Sequence, residues 1–183
     1  WLLAADEIRL GRCLIKELHL LLGQCSSSKA TEAVKAVASA IREDRNLECL
    51  ELGIEDGFTD EAGVALAEAL KINRTLHLLI LDDDVLASDL VRTKAYLGAQ
   101  AYEAFGAMLR VNTSIELNVP TFDANFGAIE PFDQMHIEMR LNEVGRGRLL
   151  ASSQTPREEW IIALQELNSP NVEEYLFEVG RLY

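Results

Sequence analysis

Histidine, acidic, arginine and cysteine side chains are the residues of this sequence that could do chemistry. The histidines, His19, His77 and His136, lie far apart and lack the spacing of a metal site or of a catalytic pair. His19 and His77 fall at non-leucine positions of short aliphatic segments, where polar side chains face solvent. We therefore expect no catalytic histidine and no histidine-bound metal.

Three consecutive aspartates, Asp82 to Asp84, follow an aliphatic segment and could gather a cation. A calcium site needs about six to eight oxygen ligands and a turn-forming glycine at fixed spacing. Since no such glycine follows, the run is interpreted as a solvated loop. We expect neither a bound metal nor a cofactor.

The glycine-rich stretch Gly145-Arg146-Gly147-Arg148 could contact phosphate. It lacks the glycine and lysine spacing of a phosphate-binding loop and does not join a strand to a helix in the required way. A structural turn is therefore predicted.

The cysteines, Cys13, Cys25 and Cys49, are odd in number and have no metal-ligand spacing. They are interpreted as reduced thiols, which favours an intracellular compartment. Cys49 follows Glu48, and an acidic neighbour disfavours the thiolate that nucleophilic catalysis requires. We predict a protein that is not an enzyme and has no small-molecule substrate.

The chain has 183 residues, of which 30 are acidic and 17 basic, for a formal net charge of −13. This charge argues against binding of nucleic acid or of anionic membranes, and no apolar run approaches the roughly 20 residues that span a bilayer. The first residues lack an initiating methionine and a secretory signal, so we expect a processed product or an internal fragment. We expect a soluble intracellular protein of the cytoplasm or, alternatively, of an organelle interior.

A pattern of aliphatic residues recurs with a period near 29 residues. Leu18, Leu50, Leu79 and Leu117 are separated by 32, 29 and 38 residues, and each lies in a short aliphatic segment typical of a strand. The last three segments each follow a helix-like stretch that ends in an aspartate or an asparagine. These residues are Asp44, Asn73 and Asn112. Because helix and strand recur in phase, the pattern predicts a repeat protein.

The stretches between the strands are predicted helices. Ser28–Glu43, Thr59–Leu70 and Gly98–Arg110 each place apolar residues on one helical face. Thr59 or Asp60 is the expected N-cap of the second helix. The predicted inward residues are Val34, Val37 and Ile41, then Ala62, Leu66 and Leu70, and then Tyr102, Phe105 and Leu109.

A single repeat cannot bury the apolar sides of its strand and its helix, so the repeats must stack, with their strands in parallel. The run from Leu47 to Leu76 resembles the ribonuclease-inhibitor type of leucine-rich repeat, and the resemblance covers roughly residues 10–120. It implies an α/β fold, a short right-handed solenoid with parallel strands on the concave side and helices outside. It also implies a protein-binding surface.

The sequence departs from this family pattern in two places. Where an asparagine is expected after the strand, it has Asp84 in one repeat and Glu55 or Asp56 in another. A carboxylate only accepts hydrogen bonds, so looser loops are expected. About ten extra residues form an insertion at 87–97.

The repeat phase is lost after Val119. His136–Asn142 alternates apolar and polar residues, which predicts one more strand. Thr155 and Asn171 begin two predicted helices. The stretch Met139–Leu150 resembles the tail of leucine-rich-repeat proteins from single-celled algae.

We therefore expect two parts. Residues 1–130 form the solenoid of about four repeats, the first irregular, and residues 131–183 form a C-terminal strand and helical cap. Capping is expected because the open end of a solenoid needs a cover with a polar outer side.

The predicted partner-binding site is the concave face of the sheet, where residues that alternate with the inward leucines project. They form a mixed, acid-leaning row with one apolar side chain. The predicted binding residues are His19, Glu51, His77, Ile80, Asp82 and Glu116. The 87–97 insertion and the helical flank are alternative binding surfaces.

We thus predict a protein–protein interaction scaffold or adaptor. Its partner is expected to be a protein, either alone or as part of a large complex. One alternative is a structural subunit of a large multiprotein assembly. Another is a regulator of a small GTPase, because some ribonuclease-inhibitor-like solenoids activate one. The sequence offers no dedicated arginine or asparagine for that activity.

Overall fold

The computed structural model describes residues 1–9, 14–23, 26–54, 58–82, 97–119, 130–143 and 146. Helices and strands alternate along this part of the chain. The elements are α1 (Leu2–Arg9), β1 (Glu17–Leu22), α2 (Ser27–Glu43), β2 (Cys49–Ile54), α3 (Asp60–Leu70), β3 (Leu78–Asp82), α4 (Ala99–Val111), β4 (Glu116–Asn118) and α5 (Glu130–Glu143).

The four strands form one parallel sheet in the order β1-β2-β3-β4. Leu18, Leu50, Leu79 and Leu117 lie side by side across it, so the register follows the predicted repeat. Each helix packs against the next one along the stack. The predicted α/β fold, a short leucine-rich-repeat solenoid, is confirmed.

One continuous apolar core lies between the sheet and the helices. Leu50, Leu79 and Leu117 enter it from the strands. The helix residues predicted to face inward are all buried: Val34, Val37, Ile41, Ala62, Leu66, Leu70, Tyr102, Phe105 and Leu109. Burial of one of the valine, isoleucine, leucine or phenylalanine side chains stabilises the fold by about 1.5–3 kcal/mol. Stacking of the repeats therefore holds the short helices in place.

Two residues at the start of α3 cap two different helices. The Thr59 hydroxyl accepts from the backbone N–H of Ala62 over 3.3 Å, which confirms Thr59 as the N-cap of α3. The Asp60 carboxylate instead accepts from the N–H of Ala101, in the first turn of α4, over 3.0 Å. The N-cap of α4 is Gly98, which has no side chain of its own for this bond. A Cβ at Gly98 would collide with the Asp60 carboxylate.

Polar side chains at the helix ends form a ladder along the stack. The Asn73 amide donates to the carbonyl oxygens of Ile41 and Asp44 over 2.6 and 3.1 Å. The Asn112 amide donates to the carbonyl oxygens of Leu70 and Asn73 over 2.9 and 3.0 Å. Each asparagine therefore joins the end of its own helix to carbonyl groups in or just after the last turn of the preceding helix.

The prediction of a strand at His136–Asn142 is wrong, because this stretch lies in α5. Met135, Glu138 and Leu141 are buried at three-residue intervals, the spacing of one helical face. The alternation of apolar residues that suggested a strand therefore coincides with a helix that packs against α4. Helix α1 was also not predicted.

The end of α5 continues the ladder. The Asn142 amide donates to the carbonyl oxygen of Leu109 over 3.1 Å, and its oxygen accepts from Nε of Arg146 over 2.9 Å. Arg146 is almost completely buried and forms an ion pair with Glu138. This supports a structural role for Arg146. Residues 147–183, which include the two predicted cap helices, lie outside the described part of the chain, as do residues 55–57 and 83–96.

Candidate interaction surface

The sheet has one side away from the helices, which we call the open face. Two rows of side chains cross all four of its strands. The first row is Glu17, Cys49, Leu78 and Glu116, and the second is His19, Glu51, Ile80 and Asn118. Every one of these residues is exposed or half-buried, whereas the neighbouring residues of β2 and β3 that point inward are buried. The alternation follows from the pleat of the strands.

The register places His19, Glu51 and Ile80 side by side, as predicted, but corrects the fourth position. Glu116 pairs with Leu78, and Asn118 lies beside Ile80. The inward residues of the last strand segment are Leu117 and Val119, so the residue between them is Asn118 and not Glu116. The shift was hidden because the first two aliphatic residues of this segment, Ile115 and Leu117, lie two residues apart instead of three. Glu116 nevertheless remains on the open face.

The remaining two predicted residues lie at opposite ends of β3. His77 precedes the strand, has an exposed side chain, and donates its backbone N–H to the carbonyl of Glu48 over 2.8 Å. Asp82 ends the strand and pairs with Gly53 in the register. The six predicted residues therefore lie on or at the rim of one sheet.

An ion pair joins the first two repeats beside the open face. Nζ of Lys16 donates to Oε1 of Glu48 over 2.7 Å. This hydrogen bond, together with the charge attraction, raises the pKa of Lys16 and lowers the pKa of Glu48. Both side chains are well exposed, so the pair contributes little to stability.

A second polar contact lies in the second row of the open face. Nδ1 of His19 forms a hydrogen bond with the Glu51 carboxylate across β1 and β2. The His19 side chain is more than half exposed, whereas that of Glu51 is 23% exposed. Glu51 is thereby held in one orientation at the centre of the face.

Cys49 lies beside Glu17 in the first row, and its side chain is half-buried. Burial raises the pKa of the Cys49 thiol, and the charges of Glu17 and Glu51 raise it further. The thiol therefore stays protonated at neutral pH, which is unfavourable for a nucleophile. Sequence reasoning did not name Cys49, Leu78 or Asn118 as surface residues. Their alternation with the inward leucines is the signal that could have found them.

The part of the open face that β3 forms is apolar. Leu78 and Ile80 lie two residues apart on the same side of the strand and are both half-buried. The face thus combines acidic side chains on β1, β2 and β4 with an apolar strip on β3.

The described residues hold no group of three or more histidine, cysteine, aspartate or glutamate side chains that could bind a metal ion. Among them no helix has the length and apolar character needed to cross a bilayer. A cavity of about 160 Å³ lies at the end of the sheet, between β4 and the end of α5. On the helical flank, Lys35 and Glu61 form an exposed ion pair over 2.6 Å. Neither place assembles a catalytic set of side chains.

The insertion at 87–97 lies outside the described residues except for its last residue, Leu97, which is buried. Its role as a binding element therefore stays a prediction.

No protein-family description matches the sequence, and no curated protein matches it. Solved structures that match include the tropomodulin C-terminal domain from Caenorhabditis elegans. That domain is 16% identical to this chain, and the match covers 82% of this chain and 99% of that one with a TM-score of 0.43.

Proposed function

We propose that the chain is a non-catalytic protein–protein interaction module of the ribonuclease-inhibitor type, which binds a protein partner through the open face. The observation that carries the proposal is the register, which collects Glu51, Ile80 and their neighbours on one continuous sheet surface. The described side chains of this surface are suited to contact and include no nucleophile–base pair.

The open face has the composition that an interface needs. Leu78 and Ile80 supply an apolar strip that a partner can cover, and burial of apolar surface is the main source of binding energy. Glu17, Glu51 and Glu116 surround this strip with negative charge, which orients a partner and increases its association rate. The stacked repeats below hold the strands rigid, so little ordering cost accompanies binding.

Affinity purification with the full chain as bait tests this proposal. We expect Glu51→Lys combined with Ile80→Ala to reduce the recovery of a co-purified protein at least about tenfold, the loss of one or two good contacts. Glu103→Lys is the matched control, because Glu103 is exposed on α4 and away from the sheet. Equal recovery with both variants would place the interface elsewhere.

Cys49 offers a second, independent measurement of where the partner lies. Because its side chain is half-buried on the open face, a docked partner should cover it. We expect the bound partner to slow alkylation of Cys49 by iodoacetamide. Mass spectrometry of the peptide that contains Cys49 measures the rate. Unchanged alkylation in the complex would exclude the open face as the binding surface.

A further inference from the structure

The two ends of the solenoid differ in how well their apolar residues are covered. Leu18 and Leu20 of β1 pair in register with Leu50 and Leu52 of β2 and point to the same side of the sheet. Leu50 and Leu52 are fully buried, at 0% exposure, whereas Leu18 and Leu20 are only partly buried. The same inward positions are therefore less well covered in the first repeat.

Large exposed apolar side chains concentrate at this end. Leu2 and Leu3 of α1 are 62% and 83% exposed, and Leu14 and Ile15, just before β1, are 84% and 51% exposed. Within the described part of the chain, these four are the majority of the seven large apolar residues that are exposed. Apolar surface concentrated in this way marks an interaction site.

Strand β1 is also an edge of the sheet among the described residues. In a parallel ladder, alternate residues direct their N–H and C=O groups to opposite neighbours. Half of the peptide groups of β1 therefore point away from β2, as a template for another strand.

The opposite end of the stack does not share these features. Leu117 and Val119, at the end of the sheet, are 4% and 7% exposed. Helix α5 packs against α4 there, and its Met135 is fully buried. Exposure of apolar residues is thus particular to the end formed by α1 and β1.

We infer that the outer flank of α1 and β1 docks one further leucine-rich strand–helix unit, whose strand lies parallel to β1. The flank continues the interface that already joins neighbouring repeats: a parallel strand edge, inward leucines and the side of a helix. A second copy related by a two-fold axis would meet β1 antiparallel and would bring together two chains of net charge −13. This inference is independent of what binds the open face.

A fusion tests the inference. A copy of residues 26–59, which contains the chain's own α2 and β2, is joined ahead of Trp1 in the full chain. We expect the melting temperature to rise by at least about 5 °C, because each added repeat contributes an interface. We also expect hydrogen exchange in β1 to slow at least about tenfold. Static light scattering should show a monomer before and after fusion.

The matched control is the same fusion with aspartate in place of the copied Leu50 and Leu52, which should give neither effect. In addition, Leu3→Ser combined with Leu14→Ser should leave the unfused chain as stable as before but remove most of the gain from fusion. Unchanged melting and exchange in the intact fusion would overturn the inference. So would a dimeric unfused chain that Leu3→Glu converts to a monomer, because the occupant would then be a second copy.

Discussion

The side-chain amide of Asn73 donates to the carbonyl oxygen of Ile41 over 2.6 Å, across the boundary between two repeats. The oxygen of the same side chain accepts from the backbone N–H of Leu76 over 2.8 Å. The carboxylate of Asp44, one repeat earlier, acts only as an acceptor, with the backbone N–H of Leu47 at 2.6 Å. The two ladder positions therefore make different chemical demands.

Replacement of Asn73 by aspartate tests this difference. We expect Asn73→Asp to lower the free energy of unfolding by about 2–4 kcal/mol, because the carboxylate cannot donate and would lie buried beside two carbonyl oxygens. Asp44→Asn keeps an acceptor in place and should cost about 1 kcal/mol or less. Urea denaturation of both variants provides the measurement. Similar losses in the two variants would contradict the assignment of roles.

Three of the four positions of the ladder could be predicted from the sequence. Asp44, Asn73 and Asn112 were recognisable because helix ends and inward leucines recur in phase. Asn142 continues the series, since Met139-Arg-Leu-Asn142 matches Leu109-Arg-Val-Asn112. It was missed because alternation around Met139 also fits a strand. Packing against α4 decides between the two, and such non-local contacts are not visible in a local pattern.

The open face was predicted in outline for the same reason. Alternation with inward leucines identified His19, Glu51 and Ile80, but counting residues within the shortened fourth segment misplaced Glu116 by one row. A shift of this kind changes the cross-strand neighbours of a side chain, here from Ile80 to Leu78. Only the register of paired strands resolves it.

The ion pair between Arg146 and Glu138 leads to a second prediction. Both side chains are nearly inaccessible, and Nε of Arg110 also donates to Glu138, over 2.6 Å. Glu138→Ala leaves a buried guanidinium without its counter-charge, so we expect a loss of about 3–5 kcal/mol in the free energy of unfolding. Lys35→Ala, which breaks an exposed ion pair, should leave the urea midpoint within error. A loss as small as the control's would mean that the Arg146 pair is not buried.

Gly63 carries the third prediction. It is buried where α3 meets α4, and a Cβ there would lie 2.5 Å from Cβ of Ala101 and 3.0 Å from Cδ2 of Leu97. Gly63→Ala should force the helices apart and cost about 1–3 kcal/mol, despite the better helix propensity of alanine. Thermal unfolding of Gly63→Ala, Ala101→Gly and the double variant forms a cycle. We expect the double variant to recover stability relative to the sum of the single losses, and strict additivity would contradict the close contact.

His136, in α5, leads to a prediction about pH. Its ring packs edge-on against Phe132, with centroids 4.6 Å apart. Burial lowers the pKa of His136 below its ordinary value of 6.5, and the charge of Arg140 lowers it further, while Asp133 and Glu143 partly oppose the shift. The folded protein therefore favours the neutral imidazole.

As the pH falls through 6.5, the unfolded chain takes up the His136 proton before the folded chain does. The unfolded state then binds more protons than the folded state. The free energy of unfolding therefore decreases as the pH is lowered, until the lower pKa of the folded state is passed. We expect the melting temperature of the wild type to drop between about pH 7 and pH 5 by more than that of His136→Gln. Met139→Ala serves as the control, because it weakens α5 without removing a titrating group and should retain the wild-type slope. Parallel curves for the wild type and His136→Gln would show that protonation of this imidazole is not linked to folding.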